Sequence, residues 1–211
     1  MRTQTAPLIS GFAAACVLLH FGLVLTGLHN AAIVGAGFIP ARFSGAVAPP
    51  DLWMLPAILT PISSAFLHGG AMHLFFNMLI LIFLGRQLEA PLGAKAMAAI
   101  LLAGMLGGAL MQYVASPMDM MPMIGASGSI SSLIAVYALI FSQSKTPAIG
   151  PIPGHIVRAL WLAAAWIGLQ LLIGLAGGGM GNIAIWAHVG GFVAGLLMAR
   201  PLLRWRFRAG R

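Results

Sequence analysis

Acidic side chains are nearly missing: Asp51, Glu89 and Asp119 are the only three in 211 residues. Charged residues of both signs make up 7% of the chain, against about a quarter in soluble domains. Hydrophobic residues make up 60%, with a mean hydropathy of +0.99. A soluble domain of this size could not hide so much apolar surface. Alternation of apolar and polar residues is also lacking, which excludes a membrane β-barrel. A single cysteine, Cys16, excludes an internal disulfide. What remains is an all-α polytopic membrane protein, since lipid accepts only elements that satisfy their own backbone hydrogen bonds. The length allows one membrane domain over residues 1–211.

The net charge of +8 does not imply nucleic acid. Five of the eleven basic residues, Arg200, Arg204, Arg206, Arg208 and Arg211, crowd the C-terminus. They read as a cytoplasmic anchor, with residues 204–211 as a basic tail on an anionic membrane lipid surface. The N-terminus superficially resembles a signal peptide. Its apolar run continues past Cys16 through "VLLHFGLVLTGL", so it is expected to be a retained span.

Six spans are predicted, at about residues 8–28, 71–88, 95–115, 126–142, 157–175 and 185–203, with a long outer loop at 29–70. Prolines and a triple glycine separate the later spans. Arg2, Arg86, Lys95, Lys145, Arg158 and the five C-terminal arginines fall at one set of ends, and only Arg42 at the other. That asymmetry predicts both termini in the cytoplasm. The second, fourth and sixth spans then run from outside to inside. The loop at 29–70 is apolar and aromatic, with Trp53, Pro40, Pro49, Pro50 and Pro56, as expected of a segment lying at the membrane interface.

Polar groups inside a membrane are costly, so their placement carries information. His73 and Asn77 lie four apart in the second span, with His68 just ahead of them. Ser127 opens the fourth span and His188 lies early in the sixth. All share one depth near the outer face. Gly191 and Gly195 follow His188 on one helical face, and Gly128, Ser132 and Ala135 offer a small face on the fourth span. Small faces let membrane helices approach closely. The sixth span can therefore press on the fourth and bring His188 beside Ser127, as a general base beside a nucleophile. His73, Asn77 and the Ser127 N–H are candidate oxyanion donors. Glu89 is on the wrong side, and Asp51 and Asp119 are in loops, which favours a dyad over a triad.

Taken singly, each of these residues has a packing explanation. Serines bond back to carbonyls, histidines join helices and glycines permit close contact. Ser129, Ser131 and Ser132 are read as packing. His20 and His29, placed in the first span without partners, and His155 are read as structural. The thirteen methionines are read as adaptable filler. Glu89 with Arg86 is expected to pin the cytoplasmic end of the second span.

Together the motifs resemble the rhomboid family of intramembrane serine proteases. "GASG" at Gly125–Gly128 is similar to its GxSG serine motif. "AHVGGFVAG", with His188, Gly191 and Gly195, is similar to its AHxxGxxxG helix. "HGGAMHLFFN" is similar to its second-helix signature and carries over His73 and Asn77 as oxyanion-side residues. "LGRQLEAPLG", with Glu89 and Gly93, is similar to its acidic turn. The resemblance covers about residues 50–200. It departs in one place: many bacterial members carry a tyrosine four residues after the nucleophile, stacked under the histidine, where this chain has Ser131.

The resemblance implies the compact six-helix bacterial form, a fourth span surrounded by the others, and a polar cavity open to the outside. It implies a bacterial inner membrane location and single-span transmembrane protein substrates cut near the outer face. No metal and no cofactor are expected. Ser127 would attack the scissile carbonyl and His188 would accept its proton, so activity would fall as the medium is acidified. Two other readings stay open. One is a catalytically inactive rhomboid-like protein that binds transmembrane helices. The other is a small proton-coupled transporter using His68, His73 and His188.

Overall fold

The computed structural model describes residues 6–46, 51–140, 146–176 and 184–208, and every regular element among them is helical. Helix α1 (Pro7–Leu25) starts on a proline, whose missing N–H costs nothing in a first turn. It ends at Thr26, whose hydroxyl donates back to the Gly22 carbonyl at 2.8 Å. The predicted first span ran on to residue 28. The chain instead turns at Gly27 and starts a separate helix, α2 (His29–Ala36), so His29 lies outside the first span.

The described parts of the connection predicted at 29–70 are folded; residues 47–50 lie outside the described residues. After α2 come 3₁₀ turns at Pro40–Phe43, Ala57–Leu59 and Ser64–Phe66, with the short helix α3 (Thr60–Ser63) among them. Backbone bonds tie this region to the segment that precedes the fourth span. Phe38 and Met123 exchange two hydrogen bonds, at 3.0 and 2.8 Å, and the Ala41 N–H reaches the Asp119 carbonyl. The Gly125 N–H donates to Ser64 at 2.9 Å. Prolines and glycines thus shape a scaffold that holds the approach to residue 127.

Helix α4 (Ala71–Leu92) is one turn longer than the predicted second span, because Pro91 is tolerated near its end. Helix α5 (Ala94–Ala115) follows after Gly93 alone. Its φ of +82° is one that a side chain would strain, which lets one residue reverse the chain. Helix α6 (Ser127–Ile140), α7 (Gly154–Ala176) and α8 (Ile185–Arg208) complete the bundle. Residues 141–142 of the predicted fourth span lie outside the described residues. Residues 204–208 of the predicted tail continue α8 as helix; 209–211 lie outside the described residues. Arginine is a good helix former, and nothing local stops the helix at 203.

Glu89 is 3% exposed, and its carboxylate accepts the Leu8 and Ile9 N–H groups, each at 3.0 Å. These are first-turn donors of α1 with no acceptor in their own helix. The expectation that Glu89 works with Arg86 is therefore corrected: its partner is the positive end of α1. This bond also fixes the start of α1 beside the end of α4.

Helix α6 is the centre of the fold. Ser129 through Val136 are all buried, and α4, α5, α7 and α8 surround the helix. Among the described residues, four helices are long and apolar enough to cross a membrane: Pro7–Leu25, Ala71–Leu92, Ala94–Ala115 and the Ile185–Arg204 part of α8. The described part of α6, 14 residues from Ser127 to Ile140, covers about 21 Å.

Candidate active site

Ser127 is the first residue of α6, and the backbone must turn sharply to present it. Gly125 makes that turn with φ +112°. A Cβ added there would also lie 2.9 Å from Cε1 and Nε2 of His73 and 3.9 Å from Ser127 Oγ. Glycine is required both for conformation and for space. As the opening residue of a helix, Ser127 stands where first-turn N–H groups lack intrahelical acceptors and the helix dipole is positive.

His188 is in the first turn of α8. Its Nε2 lies 2.9 Å from Ser127 Oγ, and the two side chains are 3% and 7% exposed. Helix packing creates this distance. A side chain at Gly191 would overlap the Gly128 carbonyl oxygen, and one at Gly195 would overlap that of Ser132 and meet Ala135 Cβ at 2.9 Å. The small faces of α6 and α8 are in backbone contact. The same face of α8 also meets α5: Cβ atoms at Gly107 and Gly108 would collide with Ala194 and Ala187. Close packing against α5 was not foreseen from the sequence, although "GMLGG" carries the signal.

His73 and Asn77 sit one turn apart in α4. The Gly69 N–H donates to His73 Nδ1 at 3.3 Å. With Nδ1 accepting, the ring proton is on Nε2, the atom beside Gly125. Asn77 is fully buried. Its Nδ2 donates to the His73 carbonyl at 2.8 Å, and its Oδ1 has no partner. An amide nitrogen carries two protons, so one donor remains. A cavity of about 20 Å³ lined by Ser64, Gly125, Ser127, Gly128 and Ala187 adjoins the serine, room for about one water molecule.

The flanking serines have defined tasks. Ser129 Oγ donates to the Leu101 carbonyl at 2.9 Å, and Ser132 Oγ reaches those of Ile100 at 2.9 Å and Ser129 at 2.7 Å. Both join α6 to α5. His20 and His29, read as lacking partners, have ring centroids 5.1 Å apart, and His29 Nε2 lies 2.8 Å from the His68 carbonyl oxygen. His68 is 1% exposed, and its ring stands 5.2 Å from that of His73. His188 Nδ1 has no partner, and Asp119 Oδ1 accepts from the Met121 N–H within its own loop. No group of three potential metal ligands occurs among the described residues.

Sequence reasoning missed Trp166 of α7. Its ring centroid lies 6.3 Å from that of His188, at 62°. The available signal was a tryptophan set among small residues in "LAAAWIGL".

Comparison with known proteins agrees with this architecture. Residues 56–205 match the Rhomboid domain. RHOMBOID-like protein 2 of Arabidopsis thaliana is 30% identical over 149 residues, covering 68% of this chain and 44% of that protein. Rhomboid protease GluP of Bacillus subtilis (strain 168) is 28% identical over 193 residues, covering 90% and 34%. Rhomboid protease GlpG of Yersinia pestis (strain Pestoides F) is 26% identical over 200 residues, covering 94% and 64%. The chain thus spans between a third and two thirds of the length of these relatives. The domain match covers well over half of the chain and includes every segment that builds the site, and the protein belongs to the rhomboid family, as an integral membrane protein.

Proposed function

We propose that this protein is an intramembrane serine endopeptidase that cuts transmembrane-helix substrates near the outer membrane face with a Ser127–His188 dyad. The observation that carries the reading is the 2.9 Å approach of His188 Nε2 to Ser127 Oγ at a helix start. It is supported by two relatives that bear the name rhomboid protease. In this reading the single membrane domain has six spans with both termini cytoplasmic, in a bacterial inner membrane. Helix α6 is the central span and starts below the outer surface, with Ser127 beside the small cavity at its N-terminal end.

Ser127 Oγ attacks the scissile carbonyl carbon while its proton passes to His188 Nε2. The Ser127 N–H, the second Asn77 Nδ2 proton and His73 Nε2–H hold the developing oxyanion. His188 then gives its proton to the leaving amine as the C–N bond breaks. Water, activated by the same histidine, hydrolyses the Ser127 ester. Residues that weaken a substrate helix near the outer face expose its carbonyls, so cleavage favours such segments.

The test is covalent labelling of the purified protein by a fluorophosphonate, which reacts only with an activated serine. Wild type is expected to label, with Ser127→Ala unlabelled. A folded wild type that does not label would support the rival reading of an inactive helix-binding protein.

A further inference from the structure

We infer that Trp166 is a positioning residue for the dyad, holding the His188 ring from α7 through an anchor on Ser131. The inference rests on the proposed serine-hydrolase reading.

A general base must be held in orientation, usually by a hydrogen bond to its second ring nitrogen. His188 Nδ1 is buried and has no such partner. The glycine contacts of α8 place its backbone but leave the ring torsion, which is broad for histidine, unset. Among the described residues, Trp166 is its aromatic neighbour from another helix. Its ring meets the imidazole obliquely at 6.3 Å and 62°, within the range of favourable aromatic pairs.

Trp166 is itself fixed. Its Nε1–H donates to Ser131 Oγ at 3.1 Å, and Ser131 Oγ donates to the Ser127 carbonyl at 2.8 Å. Both directions are dictated by chemistry. An indole N–H can only donate and a carbonyl can only accept, so the hydroxyl uses its proton on one side and a lone pair on the other. The links run from α7 through α6 to the carbonyl of the nucleophile's own residue. Trp166, Ser131 and His188 are 4%, 1% and 3% exposed, so water does not compete for these bonds. Serine suits position 131 because its small hydroxyl leaves room for an indole from α7 and offers it an acceptor.

Trp166 also borders an apolar cavity of about 400 Å³ with Ile80, Leu84, Leu162 and Leu169, between α4, α6 and α7, whereas His188 does not line it. Shortening Trp166 would enlarge this cavity toward the histidine. A phenylalanine keeps a ring edge there and loses only the N–H anchor.

The experiment compares wild type, Trp166→Leu, Trp166→Phe and Ser131→Ala in detergent. It measures kcat and KM on a single-span substrate, the fluorophosphonate labelling rate of Ser127, and thermal unfolding. Trp166→Leu is expected to lower kcat and labelling at least about tenfold with KM within about threefold, the pattern of a displaced catalytic group. Trp166→Phe should recover most of that loss, and Ser131→Ala should lie between them. Trp166→Leu that folds, labels and cleaves like wild type overturns the inference while leaving the dyad intact. Wild type that neither labels nor cleaves overturns the hydrolase reading, and this inference with it. Should Trp166→Leu fail to fold, Ser131→Ala decides, because it hardly changes the packed volume. An unchanged labelling rate there overturns the inference.

Discussion

Gly191 of α8 lies against the backbone carbonyl of Gly128 in α6, with no room for a side chain between them. This contact sets the distance between two helices that each carry one member of the proposed dyad in the first turn. Gly191→Val must push α8 outward. A displacement of about 1 Å is expected to lower cleavage by roughly a hundredfold. The check is a cleavage assay beside a thermal unfolding curve, and wild-type cleavage by a folded Gly191→Val protein would contradict it.

The residues that build this contact were legible in the sequence because glycines at helical spacing have few other uses in a lipid-facing helix. The same holds for Ser127, His73, Asn77 and His188, whose polarity is conspicuous in so apolar a chain. Ends were less legible. Thr26 and Gly27 stop α1 before its apolar run ends, and α8 runs past residue 203 because arginines continue a helix as readily as leucines do. Partners that belong to another helix left no periodic trace. Glu89 reads as a neighbour of Arg86 along the chain, whereas its bonds go to α1, some 80 residues away. Trp166 reads as one more apolar residue until α7 is folded against α6.

Glu89 makes a second prediction. Its carboxylate satisfies two donors at the start of α1, one buried and one partly buried, so Glu89→Ala leaves both unpaired. A loss of about 2–3 kcal/mol in stability is expected. Urea or thermal unfolding in detergent measures it. Because Glu89 lies at the C-terminal end of α4, remote from His73 near its start, fluorophosphonate labelling of the folded fraction should persist.

Asn77 separates transition-state from ground-state binding. If its free Nδ2 proton meets the oxyanion, Asn77→Ala should lower kcat by about a hundredfold or more with little change in KM. Steady-state kinetics on one substrate resolve the two terms. A raised KM with normal kcat would assign Asn77 to substrate binding instead.

Ser129 and Ser132 give the opposite expectation. Their hydroxyls join α6 to α5 through the carbonyls of Leu101 and Ile100, away from Oγ of Ser127. Replacing either by alanine should cost about 0.6 kcal/mol, the average for such bonds in a membrane bundle. Cleavage at a temperature where the protein stays folded should be unchanged.

The central claim is that Ser127 and His188 act together as nucleophile and base. It is tested most directly by reconstituting wild type, Ser127→Ala and His188→Ala in liposomes with a panel of single-span substrates and identifying products by mass spectrometry. The account predicts a defined cut near the outer end of at least one substrate helix by wild type. It predicts a loss of at least about a thousandfold in each mutant and no further loss in the double mutant. Cleavage at the same bond that survives both substitutions would contradict it.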